Sequence, residues 1–217
     1  GKFGLDLSGN VSYVRNKITD MGNTEFLIGQ DFKSSAYEVS RKMVGQPINF
    51  FYGFQTLGVF QNQRDINQYT DASGNLIQPN AKPGDFKWAD LNKNGTIDAE
   101  DRKYLGDPTP HLSFGFTTAF KYDGWDLKIF AQGVSGNQIF QQLRRLDIPN
   151  ANYTNNYLGR WTGEGTSNDF PRLSDDDPNN NFKNPSSFYL HDGAFLRIKT
   201  VQLGYNLPKS IVENLKI

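Results

Sequence analysis

Cysteine is absent from this 217-residue chain. Its absence excludes a disulfide scaffold, a zinc–thiolate site and a cysteine nucleophile. Histidine is scarce, with only His111 and His191, so a histidine-built metal site or catalytic triad is poorly supplied. Neither sign of charge is in excess, because 23 Lys and Arg balance 23 Asp and Glu. A nucleic-acid binder carries a basic excess, so the balance argues against that class. No apolar run approaches the roughly 20 residues that a membrane-spanning helix needs. The first residues, Gly1-Lys2-Phe3-Gly4, read as a strand and not as a secretory signal. No base-plus-nucleophile pair and no acid/base pair of carboxylates stands out, so the chain is not expected to be an enzyme.

What is present is aromatic. The chain carries 17 Phe and 10 Tyr, and 21 Gly, in a polar background. That mixture suits alternating strands joined by long polar loops.

Period-two alternation marks four strands, at about 1–13, 112–122, 125–134 and 194–207. In the first, Phe3, Leu5, Leu7, Val11 and Tyr13 point one way and Lys2, Asp6, Ser8 and Asn10 the other. In the second, Leu112, Phe114, Phe116, Phe120 and Tyr122 share a face. Asp123-Gly124 follows, a strong two-residue hairpin signal. Trp125, Leu127 and Ile129 line the return strand. The fourth strand is regular over Val201, Leu203 and Tyr205 but out of phase over 195–199, which predicts a bulge or an exit from a membrane. Residues 50–60 are aromatic and β-like.

Such strands fit a soluble sandwich or a membrane barrel with its apolar face toward lipid. The connections favour the barrel. The hairpin turn has two residues, whereas 14–111 and 135–193 are long, an asymmetry typical of bacterial membrane barrels. The long segments are then extracellular loops.

The sharpest local motif is 90–101, which follows the 12-residue calcium-loop grammar. Asp90, Asn92 and Asn94 place oxygen donors at positions 1, 3 and 5. Gly95 allows the sharp turn at position 6. Thr96 offers its backbone carbonyl at position 7, Asp98 fills position 9 and Asp101 position 12. Calcium is the expected ion. Asp in place of Glu at position 12, and only three formal carboxylates, predict weak, structural binding, with Kd about 10⁻⁴ to 10⁻³ M. Asp175-Asp176-Asp177 reads as a solvated loop, and Trp88 and Trp161 as loop packing before sugar stacking.

These residues also carry a resemblance. Pro83-Gly84-Asp85-Phe86-Lys87-Trp88-Ala89-Asp90, the loop that follows, Leu105-Gly106-Asp107-Pro108 and Tyr122-Asp123-Gly124-Trp125 resemble the late-barrel signature of SusC/RagA-like TonB-dependent transporters. Arg160-Trp161-Thr162, Pro171-Arg172-Leu173 and the run from Tyr189 to Pro208 resemble it as well. The resemblance runs in order from about residue 45 to the end.

It implies an all-β fold: a partial antiparallel transmembrane β-barrel, part of a 22-stranded barrel, with long extracellular loops. It implies a place in the bacterial outer membrane of Bacteroidetes-type bacteria. The implied partners are a SusD-like surface lipoprotein, the TonB complex, the lipid bilayer and a glycan or peptide cargo. No plug, TonB box or carboxypeptidase-like domain is recognisable, so the chain is expected to be a fragment of an importer supplying barrel wall and outer loops. The alternative reading is a soluble extracellular calcium-stabilised β domain that binds glycan.

Overall fold

The structure is a computed structural model that describes residues 3–32, 35–143 and 152–208. Gly1 and Lys2 of the expected first strand lie outside it, as do 33–34 and 144–151 of the expected loops. Twelve strands are described: β1 Phe3–Tyr13, β2 Phe26–Ile28, β3 Ser40–Met43, β4 Phe50–Phe54, β5 Thr56–Val59, β6 Phe86–Trp88, β7 Arg102–Gly106, β8 Leu112–Tyr122, β9 Trp125–Ser135, β10 Gln138–Phe140, β11 Leu190–Asp192 and β12 Phe195–Tyr205. A six-residue helix, α1, spans Gln63–Gln68 and is capped by Asn62, whose side chain accepts from the Asp65 N–H at 3.1 Å. The chain divides into two compact units.

Unit 1 comprises Gly1–Arg15, Thr109–Gln138 and Asp192–Ile217. It is one antiparallel sheet in the order β1-β8-β9-β12. The β8–β9 turn places Asp123 at φ +47° and Gly124 at φ +90°. Two successive left-handed residues are what a type I′ turn demands, and its twist matches the flanking strands. Register then follows from Tyr122↔Trp125 along the whole hairpin. One transverse row reads Leu5, Phe120, Leu127 and Leu203, and the next reads Asp6, Ala119, Lys128 and Gln202. The sheet thus has one apolar and one polar face. The out-of-phase start of β12 is a register shift between Ile198 and Thr200. Among the described residues nothing in the chain covers much of the apolar face: Val11 is 72% exposed and Leu203 66%.

Unit 2 comprises Asn16–Pro108 and Ile139–His191. Its sheets are short: β2-β3-β4-β7, and the pair β5-β6. Aromatic residues meet between them. Phe54, Val59, Phe86 and Trp88 form one buried cluster, with Ile97, Trp161 and Phe188 packed against it. Phe32, Val39 and Tyr189 form a second, and Phe60, Ile66 of α1 and Ala81 a third. Burying each such side chain contributes about 1.5–3 kcal/mol.

Charged groups inside unit 2 are paired. Asp85 is fully buried and meets Arg172 Nε at 2.7 Å as an ion pair, while Arg172 Nη2 donates to its other oxygen at 3.2 Å. Asn181 Nδ2 and the Lys82 N–H also donate to this carboxylate, each at 2.9 Å. Glu38 sits between Arg41 and Arg102, the latter donating at 3.0 Å. Burial pushes the Glu38 carboxyl up, but its own backbone N–H and the two guanidiniums outweigh that and hold it below the usual range.

These findings correct the expected fold class. The fold is all-β, but its strands make four separate antiparallel sheets, the fourth being β10 with β11. Within their sheet β1 and β12 are each paired on one side only, so the described residues close no barrel. The physical reason lies in the two long segments. The segments 14–111 and 135–193 are expected to be outer loops, yet most of their length, 16–108 and 139–191, holds three aromatic clusters and folds as a unit with its own core. No described helix is long and apolar enough to cross a membrane, which says nothing about crossing by strands.

Candidate metal centre

The candidate site lies in unit 2 between β6 and β7. Its local fold follows from side-chain oxygens competing for backbone N–H groups, the habit of Asp and Asn in turns. Asp90 Oδ2 accepts from the Gly95 N–H at 3.0 Å, Asn92 Oδ1 from Asn94 at 3.0 Å, and Asn94 Oδ1 from Thr96 at 2.9 Å. Lys93 at φ +60° and Gly95 at φ +83° give the reversal. Gly95 is required a second way: a Cβ there would stand 2.9 Å from Asp71 Oδ2.

The far end of the loop is a 3₁₀ turn, Ala99–Asp101, held by a reciprocal capping box. Asp98 Oδ1 accepts from the Glu100 N–H at 2.8 Å, and Asp101 Oδ2 accepts from the Asp98 N–H at 2.9 Å. Asp101 Oδ1 reaches back to the Leu91 N–H at 2.7 Å, tying the last position to the second. Asp101 is fully buried and Ile97 packs on the Trp88 cluster. Tyr69 connects the loop to that core, donating to the Trp88 carbonyl at 2.6 Å and accepting from the Asp90 N–H at 3.3 Å.

Of the six predicted positions, the structure joins Asn94, Thr96 and Asp98 directly. Asn94 Nδ2 donates to Asp98 Oδ2 at 3.0 Å and Thr96 Oγ1 to Asn94 Oδ1 at 2.9 Å. Hydrogen bonds from the Glu100 N–H and then Asn94 hold the Asp98 carboxyl below its ordinary range. Asp90 and Asp101 are linked to the rest through backbone N–H groups. Among the described residues no three His, Asp or Glu stand close enough together to hold a metal ion by themselves. The donor set is therefore mixed, with carboxylate, amide and backbone oxygens. One observation fits a hard cation: Asp90 Oδ1 is buried with no hydrogen-bond partner. A desolvated carboxylate oxygen left unpaired is costly, and a cation would satisfy it.

Sequence reasoning missed Asp71. It heads a second Asx turn, accepting from Ser73 and Asn75, each at 2.8 Å, and the turn packs against Gly95. Asp-x-x-Gly-Asn is a readable turn signal, but its contact with residue 95 is not written in the sequence. Asp177 is not part of an exposed acidic cluster: it is buried and accepts from the Asn181 and Phe182 N–H groups at 2.8 and 3.0 Å. Trp88 is too buried to stack on a sugar.

With this geometry in place, the class of protein the chain resembles is clear. At family level it is similar to the TonB-dependent receptors of SusC/RagA type, an outer-membrane transport family. TonB-dependent receptor P26 of Formosa agariphila is 34% identical over 203 residues, which is 91% of this chain and 20% of that protein. TonB-dependent receptor SusC of Bacteroides thetaiotaomicron is 22% identical over 94% of this chain and 18% of its own length. Among solved structures, the RagAB peptide importer in its open-open state superposes with a TM-score of 0.67 at 19% identity, covering 97% of this chain and 21% of that one. No protein-family model matches. The chain thus spans about a fifth of the length of the relatives it matches.

The proteins it is similar to form a non-catalytic transport family, in keeping with the expectation that the chain is not an enzyme. The expected role of supplying barrel wall and outer loops is corrected, because the strands make open, separate sheets and the expected loops are a folded unit.

Proposed function

We propose that the chain is a calcium-clipped, non-catalytic β unit that binds glycan within a SusC/RagA-like uptake system. The observation that carries the clip is the unpartnered Asp90 Oδ1 in a loop where the other oxygen of Asp90 and the side-chain oxygens of Asn92, Asn94, Asp98 and Asp101 accept hydrogen bonds. Asp90, Asn92, Asn94, the Thr96 carbonyl, Asp98 and Asp101 would hold the ion. Bound there, calcium supplies charge neutralisation and rigidity, and no reaction step. The chain's own residues do the rest: Tyr69 and Ile97 anchor the loop to the core, and Gly95 lets Asp71 approach.

The system in question is an outer-membrane one with a SusD-like surface lipoprotein and the TonB complex as partners, the lipid bilayer as its setting and glycan as cargo. Peptide, the cargo of the RagAB importer, is the competing class. Family-level similarity supports this assignment.

A calcium titration of the chain tests the clip. Calorimetry is expected to give a Kd of about 10⁻⁴ to 10⁻³ M. At a hundredfold excess over Kd the folded state gains about 2.7 kcal/mol, read as a rise in Tm that EDTA reverses. Asp90→Ala removes the rise. A Tm insensitive to about 100 mM calcium and to EDTA would overturn the proposal.

A further inference from the structure

Asn94-Gly95 is the one Asn-Gly pair in the chain. Glycine after asparagine favours succinimide closure, because no Cβ on residue 95 obstructs the approach of its main-chain nitrogen to the Asn94 carboxamide. The pair stands where the calcium-type loop reverses, with Gly95 at φ +83°. Asn94 is exposed, whereas Gly95 is buried.

Both reacting groups are engaged while the loop is closed. The Gly95 N–H donates back to Asp90 Oδ2 at 3.0 Å. The Asn94 carboxamide is tied forward: its Oδ1 accepts from the Thr96 N–H and from Thr96 Oγ1, each at 2.9 Å, and its Nδ2 donates to Asp98 Oδ2 at 3.0 Å. The nucleophile is thus pinned to the start of the loop and the electrophile to its second half. Ring closure must break these bonds, so it waits on local opening.

We infer that Asn94 is a self-modification site that the closed loop protects and the open loop exposes. On opening, the Gly95 nitrogen bonds to Asn94 Cγ, the Cγ–Nδ2 bond breaks, and ammonia leaves with the former Gly95 proton. Water then opens the cyclic imide. Cleavage at Cγ yields aspartate at position 94. Cleavage at the main-chain carbonyl yields an isoaspartyl link, which routes the backbone through the side chain. No oxidation or reduction takes place. The two products act oppositely on the loop. Aspartate adds a carboxylate to those of Asp90, Asp98 and Asp101, and ligand charge tightens calcium binding. The isoaspartyl link inserts a methylene into the reversal and destroys the spacing of the donors. This consequence rests on the calcium reading above; the site and its protection do not.

The test is peptide mapping of the full chain aged at neutral pH in three states. These are folded with EDTA, folded with about 100 mM calcium, and unfolded in guanidinium chloride. The mass gain of amide-to-acid exchange marks conversion, and isoaspartyl methyltransferase labelling marks the iso product. In the unfolded chain Asn94 converts before every other asparagine. Folding slows it about a hundredfold, for the hydrogen bonds that opening breaks. Calcium slows it further. Asp90→Ala frees the Gly95 N–H and speeds conversion in the folded chain about tenfold. Thr96→Val removes one bond to Asn94 Oδ1 and speeds it about fivefold. Conversion at Asn75 and Asn168 stays unchanged in both variants, which separates loop opening from global unfolding. Equal rates in the folded and unfolded chain overturn the protection. Earlier conversion of another asparagine in the unfolded chain overturns the site. Slower conversion in Asp90→Ala makes Asp90 a base that draws off the Gly95 proton, and overturns its part as a shield. A slow folded rate that calcium leaves unchanged supports the protected site and counts against the calcium clip alone.

Discussion

Leu203 of unit 1 and Trp88 of unit 2 are both large apolar side chains on strands, yet 66% of the first and 2% of the second is open to solvent. In unit 1 strict alternation sorts apolar and polar side chains to opposite faces of a single sheet. One sheet cannot bury a face by itself, so that face stays exposed within this chain. In unit 2 the strands are only three to five residues long, and aromatics from distant segments close over one another. The lesson is that regular alternation gives extended strands and exact register, whereas a buried core comes from irregular segments that meet across long sequence distances.

This contrast can be broken or sharpened by substitution. The largest effect is expected at Trp88→Ala, which opens a cavity in the Phe54/Val59/Phe86 cluster and costs about 3–5 kcal/mol in chemical denaturation. Asp85→Ala comes next, at about 3 kcal/mol, because it leaves the Arg172 guanidinium without its carboxylate and strands Asn181 and the Lys82 N–H. Leu203→Ala in unit 1 should fall within about 0.5 kcal/mol, the range of exposed positions. A Leu203→Ala loss comparable to that of Trp88→Ala would show that the apolar face is covered in solution and would end the comparison.

The smallest effect concerns pH. Burial raises the Asp177 carboxyl above its ordinary value, against the hydrogen bonds from Phe182 and Asn181 that lower it. The folded chain therefore holds this proton more tightly than the unfolded chain. The stability this gives is present below the unfolded value and is lost as pH rises through the folded one. Asp98 runs the other way, since its folded value is depressed: its contribution is present above the ordinary carboxyl range and lost on acidification. Denaturation across the acidic range should show the Asp177 component as the difference between wild type and Asp177→Asn. The reverse slope would contradict the assignment of burial as the cause.

How much of this was legible in the sequence differs between the units in the same way. Alternation over 112–122 and the Asp123-Gly124 pair locate β8, its turn and the register of β9, because each residue's face is decided by its immediate neighbours. The broken phase of 195–199 likewise corresponds to the bulge at Ile198/Thr200. The calcium-type loop is equally local, and every one of its Asx turns spans only a few residues.

Unit 2 was not legible as a folded unit. Its polar composition and lack of period-two runs resemble loops. What holds it are pairs such as Asp85 with Arg172, and Thr56 with Ser187, whose hydroxyls lie 2.9 Å apart across 131 positions. No spacing rule predicts such pairs. For the same reason the expected barrel fragment proved to be open, separate sheets: strand patterns are local, whereas closure depends on which edges meet.

Hydrogen exchange with and without calcium tests the central claim, that the 90–101 loop is a metal clip on unit 2, most directly. The account predicts slower exchange at Leu91, Gly95, Thr96 and Asp98 on adding millimolar calcium, spreading to the strands β6 and β7 that flank the loop. Exchange in β1, β8, β9 and β12 of unit 1 should be unchanged. Identical exchange at 90–101 in calcium and in EDTA would contradict it.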